Sequence, residues 1–338
     1  MTNQASSSIQ TFDPNNLKKI GIFTSGGDAP GMNAALRSAV RSAIHRGLQV
    51  DGILQGYNGM IKEEFEPLNL RSMANIIQRG GTILRTGRSQ EFLKPEVRAA
   101  AVQGLKKRKI DALVCIGGDG SFRGAHALWN EHSMPVVGIP GTIDNDIFGT
   151  DLTVGFDTAV NTALDAIDRI RDTAASHDRL FIVEVMGRDS GFIAVEVGIA
   201  GGAEEVFVPE TECDLDKTIL RLKQASTRGK LSSILVAAEG PTPGRAYKIA
   251  EEILAKSGLD AKVCILGHVQ RGGAPTALDR NLATRLGGAA IDALLNGYCD
   301  AMAGMQAGEV NIVPFTTVYS QKKRVPDDLL KLLEIVSS

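Results

Sequence analysis

Two short segments carry the residues best suited to chemistry. Gly117-Gly118-Asp119-Gly120-Ser121 follows the apolar run at 112–116, and Thr142-Ile143-Asp144-Asn145-Asp146 follows a second apolar run at 136–139. In the first, backbone N–H groups and the start of a helix can hold phosphate. Asp119 adds an oxygen ligand of the kind Mg²⁺ takes together with phosphate oxygens. The plainer alternative is a tight turn with a capping Asp. The second segment sets two carboxylates two residues apart, and a rigidly held, ionised carboxylate can serve as base for a sugar hydroxyl. Its alternative is an Asx-turn. If the two preceding runs are neighbouring parallel strands, both loops open at one sheet edge, which would gather Asp119, Asp144 and Asp146.

Other loops carry matching charge. Ser25-Gly26-Gly27-Asp28 repeats the strand-to-glycine-loop arrangement but fails G-x-G-x-x-G, and the chain has no G-x-x-x-x-G-K-[ST]. Neither a dinucleotide fingerprint nor a P-loop is therefore expected. Arg79, Arg85 and Arg88 share one glycine-rich loop, where they suit an anion or form an exposed basic turn. Arg37 and Arg41 lie i,i+4 on a helix and point the same way, as a solvated face or as an anion clamp. Further on, Arg179, Arg188, Glu239, Lys262, His268 and Arg271 all fall in or beside loops flanking strand-like runs, which fits a phosphorylated substrate.

The elements that must position these residues alternate. Strand-like runs at 19–24, 50–56, 113–116, 136–139, 180–185, 206–208, 233–237 and 263–266 are separated by segments of helical period, among them 32–45, 95–109, 157–175, 214–227, 246–256 and 278–295. A helix is also expected over 71–78. This pattern predicts an α/β chain with mainly parallel sheets and helices on both faces, in three-layer α/β/α domains. Roughly ten strands exceed what one open sheet usually carries, so two domains are expected, with boundaries near Gly155 and Gln270.

At 338 residues the chain can bury a sizeable core. A net charge of −2 argues for neither a nucleic-acid nor a membrane partner. No apolar run approaches the ~20 residues needed to span a bilayer. The four cysteines form no C-x-x-C pair, as expected of a reduced cytoplasmic protein without structural zinc. Residues 1–17 lack the pattern of a secretory signal and read as a short disordered tail.

Taken in order, SGGDAPGMN, RGGT, IGGDGS, PGTIDND, EVMGR and GHVQRGG resemble the 6-phosphofructokinases, most closely the bacterial ATP-dependent type, over about residues 18–298. The resemblance implies two similar α/β/α domains with the active site in the cleft between them. Residues 18–155 plus 270–320 would bind nucleotide, and 156–269 plus 321–338 sugar phosphate. It implies transfer of a phosphoryl group from MgATP to the 1-hydroxyl of fructose 6-phosphate, the committed step of glycolysis. Asp144 resembles the base and Asp119 the Mg²⁺ ligand, with Thr142 and Arg188 near the transferred group. Gly27, Arg88, Ser89, Gly118, Gly120 and Ser121 match ATP contacts. Thr142, Ile143, Asp144, Met186, Gly187, Arg188, Glu239, His268, Val269, Gln270 and Arg271 match the sugar-phosphate site. Arg179 and Lys262 would reach that site from a neighbouring subunit, which makes a homotetramer the expected assembly.

The resemblance also bears on donor and regulation. Pyrophosphate-dependent relatives resemble GGDD and PKTIDND at the two loops. Here Gly120 and Gly141 leave room beside the nucleotide and add no charge, so ATP is the expected donor and a pyrophosphate-dependent phosphotransferase the alternative. Arg37, Arg41, Arg171, Gly202, Glu204, Arg228 and Lys230 match an effector site for ADP or phosphoenolpyruvate. The chain departs from the family pattern at Leu70 and Ser232, where Arg and His are expected. It departs again at Lys262, where many members carry Arg, and at Ser89, where an aromatic is common.

Overall fold

The computed structural model describes residues 8–175, 180–228 and 232–337. Its strands, in chain order, are β1 (Gln10–Thr11), β2 (Lys19–Thr24), β3 (Gln49–Ile53), β4 (Phe65–Leu68), β5 (Ala112–Gly117), β6 (Val136–Pro140), β7 (Leu180–Val185), β8 (Glu205–Phe207), β9 (Ser233–Ala238), β10 (Ala261–Ile265), β11 (Tyr298–Cys299), β12 (Ala301–Gln306) and β13 (Glu309–Pro314). The α-helices are α1 (Met32–His45), α2 (Tyr57–Ile61), α3 (Pro95–Lys107), α4 (Asp119–His132), α5 (Phe156–Ala175), α6 (Phe192–Ala200), α7 (Leu215–Thr227), α8 (Arg245–Ser257), α9 (Ala277–Leu295), α10 (Phe315–Ser320) and α11 (Asp327–Val336). Among the described residues no helix is long and apolar enough to cross a membrane.

The chain divides into two compact units. The first comprises Met1–Thr142, Ile147–Gly155 and Gly272–Lys323; the second comprises Ile143–Asp146, Phe156–Arg271 and Arg324–Ser338. The first unit holds a seven-stranded sheet in the order β13-β12-β6-β5-β2-β3-β4. Its central pairs β12-β6, β6-β5, β5-β2 and β2-β3 are parallel, and only the edge strands β4 and β13 run antiparallel to their neighbours. β5 and β6 are neighbours with Leu113 opposite Val136, and every residue of both is buried, which explains their unbroken apolar runs. Both loops that follow them therefore leave from one sheet edge. The second unit holds four parallel strands in the order β10-β7-β9-β8 over a core that includes Ile182, Phe207, Leu222, Leu235 and Ile253.

Four local features differ from the sequence reading. Part of the expected tail is structured: Gln10 and Thr11 pair with Cys299 and Tyr298, and Asp13 caps a short 3₁₀ turn by accepting from Asn15 N–H. Residues 71–78 form successive turns instead of a helix. The Asn69 carboxamide accepts from the N–H groups of Arg71 and Ser72, and Asn75 takes φ +55°, so local side-chain bonding replaces helical bonding. β12 and β13 form a hairpin closed by Ala307 and Gly308, both at positive φ, as its right-handed twist favours. Finally, residues 143–146 group with the second unit, although the sequence had placed them in the first domain.

Candidate active site

In the first unit three loops are tied together. Ser25 N–H donates to Ile116 O across the β2–β5 pair at 2.9 Å. Thr86 Oγ1 donates to Gly26 O at 2.9 Å, and Asn58 Nδ2 donates to Arg88 O at 3.3 Å. The buried Tyr57 hydroxyl donates to Ser121 O at 2.6 Å, and its ring stacks on Phe92 at 4.0 Å. Gly27, the Arg88–Ser89 loop and Gly118–Ser121 are thus braced as one surface. Arg88 is exposed and Ser121 is buried. Asp119 opens α4, so its carboxylate lies where the helix dipole favours anions. Thr142 adjoins this surface: a Cβ placed on Gly118 would lie 3.9 Å from Thr142 Cβ, and Thr142 O accepts from Thr153 Oγ1 at 2.6 Å.

Tyr57 and Asn58 were not legible as site residues, because G-Y-N-G-M reads only as a strand end. The donor set suits Mg²⁺. Among the described residues no group of three or more His, Cys, Asp or Glu side chains could hold a metal. A cation at the half-exposed Asp119 carboxylate would keep most of its ligands as water and phosphate oxygens, which is the habit of Mg²⁺.

In the second unit Asp144 is 6% exposed. Burial pushes its carboxyl above the ordinary carboxylate range. The Arg271 and Arg188 guanidiniums oppose that shift and the Glu239 carboxylate adds to it. Ser190 Oγ donates to Asp144 O at 2.9 Å, and Glu239 Oε1 accepts from Arg188 N–H at 3.3 Å. The loop after β7 is bent to make these contacts. Ser190 N–H donates to Gly187 O at 2.9 Å, and a Cβ on Gly187 would lie 2.4 Å from Ser190 O, so only glycine fits there. Arg188 and Asn145 both sit at φ +50°, a conformation that costs a residue such as Arg about 1–3 kcal/mol and is kept where surrounding contacts impose it.

Of the remaining expected site residues, His268, Val269 and Lys262 are exposed, Arg271 is half-buried and Met186 is buried. Lys262 Nζ pairs with Asp260 at 2.6 Å. Ile143 has no exposed surface. Gln270 is also fully buried, and its carboxamide is committed: Oε1 accepts from Met186 N–H at 2.8 Å and Nε2 donates to Ala159 O at 3.2 Å. It ties the 3₁₀ turn Gly267–Arg271 to the Met186–Arg188 loop. Arg179 and Lys230 lie outside the described residues.

The phosphofructokinase family model matches residues 19–294. This chain belongs to the phosphofructokinase family. It is 56% identical over 321 residues to the ATP-dependent 6-phosphofructokinase 1 of Thermus thermophilus, covering 95% of this chain and all of that one. It is 51% identical to the ATP-dependent 6-phosphofructokinase of Cytophaga hutchinsonii, covering 94% and 97%. Among solved structures, the phosphofructokinase of Saccharomyces cerevisiae superimposes with a TM-score of 0.84 at 34% identity, over 95% of this chain and 47% of the yeast chain.

Within this phosphofructokinase-family chain, the two glycines expected to bear on donor choice differ physically. A Cβ on Gly120 would meet no atom within 4 Å other than its chain neighbours and the adjoining backbone of α4. A Cβ on Gly141 would sit 3.1 Å from both Ile116 Cγ2 and Met32 Cε, tight enough that these neighbours would have to move. The expected effector residues also separate by unit. Arg37 and Arg41 lie on α1, half-buried and exposed respectively. In the second unit Gly202, Glu204 and Arg228 line one cavity of about 280 Å³, and Arg171 donates to the carbonyls of Gly201 and Gly202 beside it.

Proposed function

We infer that this chain is an ATP-dependent 6-phosphofructokinase, a phosphotransferase that moves the γ-phosphoryl group of ATP to the 1-hydroxyl of fructose 6-phosphate. Fructose 1,6-bisphosphate and ADP are the products. The observation that carries the reading at the residue level is the buried Asp144 carboxyl beside Arg188, Glu239 and Arg271.

In this reading Asp144 accepts the proton of the 1-hydroxyl as that oxygen bonds to the γ-phosphorus and the bond to the β–γ bridging oxygen breaks. A raised pKa makes the ionised Asp144 carboxylate a better proton acceptor. Ser190 holds its main chain, so the carboxylate is positioned before substrate arrives. Arg188 and Arg271 attract the anionic groups of the sugar phosphate and of the transferred phosphoryl, and Glu239 accepts from sugar hydroxyls. Gly27, Arg88, Ser89 and Gly118–Ser121 hold ATP, Thr142 lies by the transferred group, and Asp119 holds Mg²⁺. Bound Mg²⁺ would neutralise phosphate charge, the main demand of phosphoryl transfer.

Assembly and regulation belong to the same reading. A homotetramer would bring Arg179 and Lys262 to a neighbour's sugar site. ADP or phosphoenolpyruvate would bind through Arg37, Arg41, Arg171, Gly202, Glu204, Arg228 and Lys230, and the cavity at Gly202, Glu204 and Arg228 supports this. A cytoplasmic location suits the free thiols of Cys115, Cys213, Cys264 and Cys299. The catalytic assignment is tested with Asp144→Ala. That variant should fold and bind both substrates while losing turnover on the order of 10²–10⁴-fold; near-normal kcat would refute it.

A further inference from the structure

Arg123 lies one helical turn after Asp119 on α4, and its guanidinium is held at three points. Nε donates to Asp119 Oδ2 at 2.8 Å, Nη2 donates to Tyr319 O at 3.2 Å, and the group sits 4.8 Å from the centroid of the Tyr319 ring. The Tyr319 ring is fixed in turn. His126 packs against it at 5.5 Å, and His126 Nδ1 lies 2.8 Å from the buried Asp300 carboxylate. Phe122 on α4 stacks on Phe315 of α10 at 5.0 Å, which keeps Tyr319 over α4. Asp300, His126, Tyr319, Arg123 and Asp119 form one continuous chain of contacts.

An ordinary exposed ion pair contributes little, because two mobile side chains must be ordered to make it. Here the ring and carbonyl of Tyr319 have already ordered the arginine, so it can hold the carboxylate at small further cost. Arg123 engages Oδ2, so the carboxylate rotates less freely and Oδ1 is presented in one direction. Neither Arg123 nor Tyr319 belongs to any of the glycine-rich motifs.

We propose that Arg123, seated on Tyr319, is a positioning residue for the Asp119 carboxylate, fixing one oxygen so that the other faces the metal bound with the nucleotide. This rests on the reading of Asp119 as the metal ligand. Positioning and simple charge have opposite consequences. A cation beside a metal site repels the metal, so if Arg123 acted by charge alone its removal would tighten metal binding. If it positions the carboxylate, its removal weakens metal binding, and a lysine, with charge but no planar fork, does not replace it.

The test is Mn²⁺ affinity in the presence of ADP, read by electron paramagnetic resonance on the full-length enzyme, beside ADP affinity in EDTA. Arg123→Met, Arg123→Lys and Tyr319→Leu should each weaken Mn²⁺ binding, the arginine variants by about tenfold, as for partners that orient a metal ligand from outside. The double variant Arg123→Met/Tyr319→Leu should be no worse than the weaker-binding single one, and ADP affinity in EDTA should be unchanged. Unchanged or tighter Mn²⁺ binding in Arg123→Met, or full retention in Arg123→Lys, overturns the proposal. So does an equal loss of ADP affinity without metal, which would make Arg123 a nucleotide contact. Asp119→Asn separates the two levels: wild-type Mn²⁺ affinity in that variant would refute Asp119 as the ligand, whatever Arg123 does.

Discussion

Ser190 reaches back from the loop after β7 to hold the main-chain carbonyl of Asp144 at 2.9 Å, across 46 residues of sequence. The carboxylate assigned to proton transfer is therefore placed in part through its backbone. Ser190→Ala should lower kcat and leave nucleotide affinity unchanged, since the lost bond acts on Asp144 alone. Steady-state kinetics with binding titrations check this; an unchanged kcat would mean the bond has no catalytic value.

Asp144→Asn should remove most turnover and yet raise stability. Burial raises the Asp144 carboxyl, so the folded chain binds this proton more tightly than the unfolded chain. The group's stabilising contribution is present at acidic pH and is lost as pH rises through the folded-state value. Above the unfolded-state value, deprotonation favours unfolding because burial penalises the charged carboxylate, and the neutral amide removes that cost. Urea denaturation at pH 7 should give Asp144→Asn the higher midpoint, with the gap closing toward acidic pH.

The groups around Asp144 should move the acidic limb of kcat/KM in opposite directions. Arg271 opposes the upward shift and Glu239 reinforces it. Arg271→Met should displace the limb to higher pH and Glu239→Gln to lower pH, with sugar-phosphate KM raised in both. Shifts of the same sign would mean that Asp144 is not the group titrating in that limb.

Gln270→Leu should separate structure from ligand contact. It leaves Met186 N–H and Ala159 O buried without the partner they now have, at about 1–3 kcal/mol for each group. Thermal unfolding should fall accordingly, and KM for fructose 6-phosphate should rise as the Met186–Arg188 loop and the turn bearing His268 and Arg271 lose their tie. A raised KM with unchanged stability would instead make Gln270 a direct substrate contact.

Gly120→Asp should not lower stability, because the added Cβ meets nothing outside its own stretch of α4, and should weaken ATP binding. Gly141→Lys should lower stability as well, since its Cβ meets Ile116 and Met32 at 3.1 Å. Calorimetry with ATP titration distinguishes the two.

The fold was largely legible because parallel strands buried on both faces write unbroken apolar runs such as Leu113–Ile116, and the helices between them keep a 3.6 period. The β12–β13 hairpin escaped because A-M-A-G-M-Q has little β-branched content, and its strand character comes from pairing with β6 and β13. The turns at 71–78 escaped because Asn69 captures two N–H groups that a helix would have used. At the site, the motif residues were visible and their supports were not. Gln270 is bound to main-chain groups 84 and 111 residues away. Tyr319 comes to Arg123 from 196 residues along the chain, and no local spacing records such a pairing.

The most direct test of the central claim is the appearance of fructose 1,6-bisphosphate from fructose 6-phosphate, followed with ATP and with pyrophosphate as donors, with and without Mg²⁺. Turnover with ATP that requires Mg²⁺ is expected, and none with pyrophosphate. Turnover with pyrophosphate alone, or with neither donor, would contradict it.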